Sequence, residues 1–449
     1  MATSLSAYTL DVYYDGKVIG SLTLDQRTNL LRLEYGDDWR NGGFAISPGL
    51  PLNHPHKPEA AYNYLDNALP EGEARKLLSE FSGVSERNIY AQARMVGRDL
   101  SGAFTLSGDQ AEKSQSHEPN FRPIKDNELI DRLEKKETSG LVVWDEKPRL
   151  SMAGVQDKIN ILVNESGQIG FGDGALCSTH ILKFEKKICP NLVLNEFFCM
   201  KLSNAVGLPT AEVEFRRFGD HPSLLVKRFD RKFVHDAKRV MRRHVIDGCQ
   251  ALNLPRESKY ERNLGDGRDV LHIREGASLE KLFAFCETMS SPIQSKFWLI
   301  NWQLFNLMIN NYDSHGKNVS LFFDRNNTRF TPAYDLVNIA LFPQFTDTLS
   351  MAIGEEFVPG DILAYQLADF AVTCNIQRKL LSKLLIELAD KVIAQLTGNV
   401  LVNHLEKAVY LSAADLQYFQ MLGENILTRT EFLKSQAPEI PGVDIRSLL

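Results

Sequence analysis

The stretch Asn311-Tyr312-Asp313-Ser314-His315-Gly316-Lys317-Asn318, followed by Thr331-Pro332-Ala333-Tyr334-Asp335, constrains this chain more than any other. An Asp, an Asn five residues on and a second Asp beyond a short hairpin make the acidic and amide set that kinase-type phosphoryl transfer requires. One Asp accepts the hydroxyl proton, while the Asn and the later Asp hold Mg²⁺ against nucleotide phosphates. The pattern assigns the base to Asp313 and the metal ligands to Asn318 and Asp335. Mg²⁺ takes few protein oxygens and fills its shell with phosphate and water, so one carboxylate and one amide suit it. Singly, an Asp or Asn in a loop is explained by a turn or a cap. The arrangement as a whole carries the reading.

The surroundings agree. Apolar Phe297, Ile300, Leu304, Leu307 and Met308 recur at helical spacing across residues 294–310, which puts Asp313 just past a helix end. Residues 319–323 read as a strand, Asn326-Asn327 as a turn and residues 328–331 as a return towards Asp335. Such a ribbon brings Asn318 and Asp335 to one end.

With 449 residues, 43% hydrophobic and 24% charged, the chain has room for two or three globular domains. A net charge of -6 argues against autonomous nucleic-acid binding. The one dense basic run, Lys238-Arg239-Val240-Met241-Arg242-Arg243-His244, reads as a solvated face. The six cysteines form no C-x-x-C pair, so reduced thiols in a cytosolic protein are expected rather than zinc or disulfides. Residues 1–8 lack the basic and apolar regions of a signal peptide, and no window reaches 18 apolar residues. A cytoplasmic location is expected.

Pattern changes divide the chain into a small α+β block over 1–108, a linker and helix over 109–148, a β-rich lobe with one packed helix over 149–235, and a mainly helical lobe over 236–449. The expected fold class is α+β: a bilobal, protein-kinase-like fold with an added N-terminal α+β subdomain, the nucleotide lying in the cleft between the lobes.

The phosphate end is less distinctive. Ser151-Met152-Ala153-Gly154-Val155-Gln156-Asp157-Lys158 is a turn of small residues running into a strand, where backbone N–H groups could approach phosphates. It is neither a Walker A sequence nor G-x-G-x-x-G. Lys183 on the next strand supplies the cation that a kinase uses against the α and β phosphates. The glycines of residues 167–174 precede no helix and read as hairpin glycines. Glu196, near a helix start, is explained equally by pairing with Lys183 or by the helix dipole. A phosphate on Ser151 would compete with nucleotide for the same donors.

Together these residues resemble the HipA-type serine/threonine kinases, bacterial toxins of toxin–antitoxin pairs. The resemblance spans nearly the whole chain. It includes Asn67-Ala68-Leu69-Pro70-Glu71-Gly72, Val96-Gly97-Arg98-Asp99-Leu100-Ser101-Gly102-Ala103, residues 151–158, Thr179-His180-Ile181-Leu182-Lys183, Asn195-Glu196, Lys227-Arg228-Phe229-Asp230-Arg231 and both catalytic segments. It implies a phosphate-binding loop at Ala153, Gly154, Val155, Gln156, Asp157 and Lys158, with Lys183 on the phosphates. It also implies an adenine hinge at Lys227, Arg228 and Phe229, a nucleotide site lined by His315, Gly316, Lys317, Asn318, Tyr334 and Asp335, and Mg²⁺ on Asn318 and Asp335. Asp313 matches the base, and Ser151 the serine whose autophosphorylation inactivates such kinases. ATP is the implied co-substrate, an aminoacyl-tRNA synthetase the implied target, and a HipB-like helix-turn-helix antitoxin the implied partner, through which operator DNA is reached. Ser314 and Gly316 stand where the family often has Gly and Ala, and Lys227 where an acidic residue can occur. Two other readings stay open: a small-molecule kinase on a similar scaffold, and a non-enzymatic corepressor that binds antitoxin and DNA.

Overall fold

The structure, a computed structural model, describes residues 8–108, 119–135, 141, 143–149, 157–234, 238–325 and 327–445. The chain forms two compact units: residues 1–186, 216–256 and 321–328 make the first, and residues 187–215, 257–320 and 329–449 the second.

The first unit opens with a four-stranded antiparallel sheet, in the order Leu30–Tyr35, Lys17–Asp25, Thr9–Tyr14, Phe104–Ser107. Asp15 and Gly16 both have positive φ, as a tight hairpin turn between twisted strands requires. Alternation in Thr9–Tyr14 buries Leu10 and Val12 against the helices Ala60–Ala68 and Ile89–Val96, through Leu65 and Ala93. A six-stranded sheet follows, in the order Val213–Phe218, His221–Lys227, His180–Phe184, Lys158–Val163, Ile169–Asp173, Asn120–Pro123. One of its faces, carrying Ile159, Ile161, Leu182, Phe184 and Leu225, packs with Leu129 and Leu133 of the helix Asp126–Glu134.

Buried polar contacts bind the N-terminal block to later parts of the same unit. Asp230 accepts two bonds from Arg228 (3.0 and 2.8 Å), one from Arg231 (2.5 Å) and one from the Gly102 N–H (2.9 Å). Arg231 also donates to the carbonyls of Leu100 (2.6 Å) and Gly102 (2.8 Å). Burial alone would raise the Asp230 carboxyl, but the Arg228 and Arg231 guanidiniums outweigh it and hold it well below the usual range. Gly102 has φ +82°, and a Cβ there would lie 2.7 Å from His244 Nδ1, so only glycine fits.

His244 is buried in this seam. Its Nε2–H donates to the Ile46 carbonyl (2.7 Å) and its Nδ1 accepts from the Ala103 N–H (3.5 Å), the pattern of a neutral imidazole. The basic run is therefore not simply a solvated face. Arg239–Arg242 is a strand that buries Val240, and the Arg243 guanidinium lies 3.6 Å from the centre of the Phe322 ring. With Val245–Asp247, this strand makes residues 239–242 and 245–247 extended where mainly helix was expected, and β-branched Val240, Val245 and Ile246 favour that state.

The second unit is helical. Pro292–Met308 buries most of its second half, from Leu299 to Met308, and the helices Arg378–Leu396 and Ala413–Gln436 follow it. The helix expected to pack on the β lobe runs Leu192–Ala205 and belongs to this unit: Phe198 meets Phe419 at 5.1 Å. It begins earlier than expected, at Leu192, behind Asn191 with φ 67°. Among the described residues no helix is long and apolar enough to cross a membrane. All six cysteines are buried free thiols, and burial pushes Cys286 up to about 12.

Burial pushes His244 down to about 4, while the unfolded chain keeps an ordinary imidazole near 6.5. Between those values the unfolded chain binds more protons, so stability rises with pH across that window and falls on acidification. The expected loss from pH 7 to pH 4 attributable to His244 is about 3 kcal/mol. Urea denaturation of wild type and His244→Gln across this range checks it: the wild-type slope should exceed the variant's, and equal slopes refute it.

Candidate active site

Asp313 to Asn318 lie in a loop of the second unit that starts where Pro292–Met308 ends. Asn310, with φ 53°, turns the chain out of the helix, a conformation that asparagine tolerates. The loop then closes on itself. The Asn318 side-chain amide donates to the Asp313 carbonyl (2.7 Å), and the Asn318 N–H donates to the His315 carbonyl (2.9 Å). The His315 N–H donates to that same Asp313 carbonyl (2.9 Å), and His315 Nδ1 accepts from the Lys317 N–H (3.3 Å). The Asn318 bond spends its NH₂ on the backbone and leaves Oδ1 as the available ligand oxygen.

Asp335 is held beside this loop. Its φ is 52°, a conformation that non-glycine residues adopt where the surroundings enforce it. Ala333 forms a parallel bridge with residues 209–211: its N–H donates to the Pro209 carbonyl (2.8 Å) and its carbonyl accepts from the Ala211 N–H (2.9 Å). The Tyr334 hydroxyl donates to the Lys317 carbonyl (2.7 Å) and lies 2.6 Å from Ser320 Oγ. On the far side, buried Asn195 accepts from the Asn338 N–H (2.7 Å) and donates to its carbonyl (3.2 Å).

Asn311 joins the two segments. Its Oδ1 accepts from the Asp313 N–H (3.3 Å), and its Nδ2 donates to Asn306 Oδ1 (2.7 Å) and to the Asp335 carbonyl (3.4 Å). Asp313, Asn318 and Asp335 are half-buried, whereas Asn311, His315 and Lys317 are buried. The three groups thus remain reachable on a fixed frame.

The donor chemistry fits Mg²⁺. Asn318 and Asp335 offer hard oxygens, and among the described residues no group of three or more His, Cys, Asp or Glu is placed to hold a metal ion. Two protein oxygens suit an ion whose other ligands are phosphate and water.

In the first unit Lys183 and Lys158 are direct cross-strand partners on adjacent antiparallel strands, 5% and 6% exposed. Directly opposed residues share one sheet face, so the two side chains leave the sheet on the same side. Asp157 is half-buried, with an ion pair to Lys186 (3.6 Å). Of the hinge residues, Lys227 is exposed and Phe229 meets Phe322 edge-on at 6.0 Å. The Arg228 guanidinium is committed to Asp230 and Ser178 (2.8 Å), and its N–H to the Thr179 carbonyl (2.9 Å), so its side chain works in the seam. Ser151, Ala153, Gly154, Val155 and Gln156 lie outside the described residues. Glu196 is buried within Leu192–Ala205.

Sequence reasoning missed two residues. Asn311 was quoted with the motif but given no role, and its neighbour-spanning bonds leave no mark in composition or spacing. Tyr260 stands alone in a polar stretch, yet its hydroxyl donates to Asp313 Oδ1 (3.0 Å) and its ring meets His315 edge-on at 5.1 Å. Replacing Asn311 with Ala strips a buried site of three hydrogen bonds, and should cost about 1–3 kcal/mol of stability. Chemical denaturation reads this directly; a change under about 0.5 kcal/mol, the size of an ordinary surface substitution, would remove the bridging role.

Residues 10–107 match the family described as HipA N-terminal domain, and residues 150–396 that described as HipA-like C-terminal domain. The chain is 40% identical over 386 residues to the serine/threonine-protein kinase toxin HipA of Shewanella oneidensis, covering 86% of this chain and 87% of that one. It is 28% identical over 423 residues to the putative kinase Y4mE of Sinorhizobium fredii, covering 92% and 96% of the two chains. A solved structure from Shewanella oneidensis MR-1, of the HipA, HipB and operator DNA complex, matches with a TM-score of 0.88 and 36% identity, over 97% of this chain and 100% of that chain. The α+β kinase-like fold class and the resemblance read from the motifs are both met, and the chain belongs to the HipA family of serine/threonine-protein kinases.

Proposed function

We propose that this chain is an ATP- and Mg²⁺-dependent toxin kinase that phosphorylates serine or threonine on a protein, with an aminoacyl-tRNA synthetase as target and a cytoplasmic site of action. The observation that carries the reading is the joint fixing of Asp313, Asn318 and Asp335 by Asn311 and the loop's own bonds. Asp313 is the base: it takes the acceptor hydroxyl's proton as that oxygen bonds to the γ-phosphorus and the bond to the β–γ bridging oxygen breaks. Asn318 and Asp335 hold Mg²⁺, which when bound supplies charge neutralisation to the phosphates. Lys158 and Lys183 bind phosphate oxygens, and the backbone at Lys227–Phe229 takes the adenine. The helix-turn-helix partner and its operator follow from likeness to the HipA, HipB and operator DNA complex. An acidic chain gains its DNA contacts through such a partner.

Asp313→Asn and Asp335→Asn should each lower phosphate transfer from labelled ATP to protein at least about 100-fold, with an unchanged melting temperature. Expression of wild type without an antitoxin should arrest growth, and Asp313→Asn should relieve the arrest. Near-normal turnover by Asp335→Asn would refute the metal assignment, and equal toxicity of the Asp313 variant would detach toxicity from phosphoryl transfer.

Ser151 is the proposed site of self-inactivation. A phosphate there adds charge near −2 and three acceptors, which recruit the loop's own N–H donors and Lys183 away from nucleotide. Mass spectrometry after incubation with ATP and Mg²⁺ should find phosphate on Ser151, and the modified protein should bind ATP more weakly. Unmodified Ser151, or unchanged ATP affinity when it is modified, rules this device out.

A further inference from the structure

We infer that Tyr260 is a positioning residue for the reaction, fixing the Asp313 carboxylate so that one oxygen is kept for the acceptor hydroxyl. The inference rests on the reading of Asp313 as the base. A carboxylate on a short side chain rotates about its last torsion, which is broad and lacks sharply staggered wells. A base must instead hold one oxygen within hydrogen-bond reach of the proton it takes. Among the described residues, the Tyr260 hydroxyl is the one hydrogen-bond donor to the Asp313 side chain, at 3.0 Å on Oδ1. That bond engages Oδ1 and not Oδ2, the oxygen kept for the acceptor.

The phenol is itself held from three directions. Its ring meets the His315 ring edge-on, with centroids 5.1 Å apart and an interplanar angle of 84°. Its backbone is pinched against residues 276–277. The Gly276 N–H donates to the Glu261 carbonyl (3.1 Å) and the Ala277 N–H to the Ser258 carbonyl (2.8 Å). A Cβ on Gly276 would fall 1.8 Å from the Tyr260 carbonyl oxygen, so the close approach exists only because that residue is glycine.

The third hold closes a ring of contacts. The Tyr312 carbonyl accepts from both the N–H (2.9 Å) and the hydroxyl (2.7 Å) of Ser350. The Ser350 carbonyl in turn accepts from the Glu261 N–H (2.9 Å). Buried Glu261 is locked by Arg274 Nε (2.7 Å) and the Ala352 N–H (2.8 Å). The residue before Asp313 is thereby tied to the residue after Tyr260, and the hydroxyl–carboxylate bond is the last side of the circuit. That bond sits across a fixed gap, which is what orientation of a base requires.

The test compares purified full-length wild type, Tyr260→Phe and Asp313→Asn, using labelled ATP with heat-inactivated bacterial lysate protein as acceptor. Affinity for a non-hydrolysable ATP analogue with Mg²⁺ and the melting temperature are measured on the same samples. Phenylalanine keeps the ring against His315 and removes only the hydroxyl. A hydrogen bond to a charged group predicts a kcat roughly 10- to 100-fold lower in Tyr260→Phe. The KM for ATP, the analogue affinity and the melting temperature should stay at wild-type values. A wild-type kcat in Tyr260→Phe overturns the inference. So does a parallel loss of kcat and analogue affinity, which would mean a merely structural role. Full activity in Asp313→Asn overturns instead the reading of Asp313 as the base, and none in wild type the kinase reading beneath it, so the failures are told apart.

Discussion

The geometry of the candidate site depends first on one buried side-chain amide. Asn311 has an acceptor and two donors, and each is aimed at a different element: the Asp313 backbone, the Asp335 backbone and the helix residue Asn306. An amide suits this position because it accepts and donates at once without carrying charge. A carboxylate there could accept but not donate, and an aliphatic chain of the same size would leave three polar groups buried without partners. Asp313 and Asp335 come from segments separated by a hairpin, and this bridge, with the Tyr334 hydroxyl on the Lys317 carbonyl, keeps them in step.

A similar economy of polar groups serves the first unit. Asp230 is buried between Arg228 and Arg231, which also reach Leu100, Gly102 and Ser178. A buried ion pair contributes little net stability compared with apolar packing, because desolvation opposes the attraction. What it supplies here is register. Guanidinium forks accept few alternative arrangements, so the N-terminal block meets the residues just after His221–Lys227 in one way. His244 adds a neutral contact to the same seam. Asn63 and Asn67 extend it, donating to the carbonyls of Asn253 (3.1 Å) and Leu254 (2.9 Å).

Local signals in the sequence were read where a local rule decides the outcome. The helical spacing of Phe297, Ile300, Leu304, Leu307 and Met308 before Asn310 makes the helix Pro292–Met308. Asp313, Asn318 and Asp335 stand out in the sequence because metal and base chemistry restrict residue type and spacing, and the structure joins their segments through Asn311. The remainder was illegible for a physical reason: it consists of long-range contacts. Nothing near Arg228 says that its side chain turns to Ser178 and Asp230 instead of a ligand. Nothing in the helix Leu192–Ala205, apolar on all sides, says which core it joins. The strands Arg239–Arg242 and Val245–Asp247 were hidden by the basic run, whose charge reads as a solvated face.

The neck that closes residues 261–276 has a consequence for how such a chain can diversify. The Glu261 and Gly276 backbones pair directly, and Arg274 folds back onto Glu261, so the segment between them leaves and returns at the same point. Leu264 and Leu271 lie exposed on that excursion, at 57% and 38%. Loop closure entropy grows only slowly with length, so residues can be added, removed or replaced beyond the neck at small thermodynamic cost. Tyr260 and Asp313 would not register the change, because the strain of a new loop ends at the clasp. The exposed stretch can therefore change in length and residue type while the contact of Tyr260 with Asp313 keeps its place.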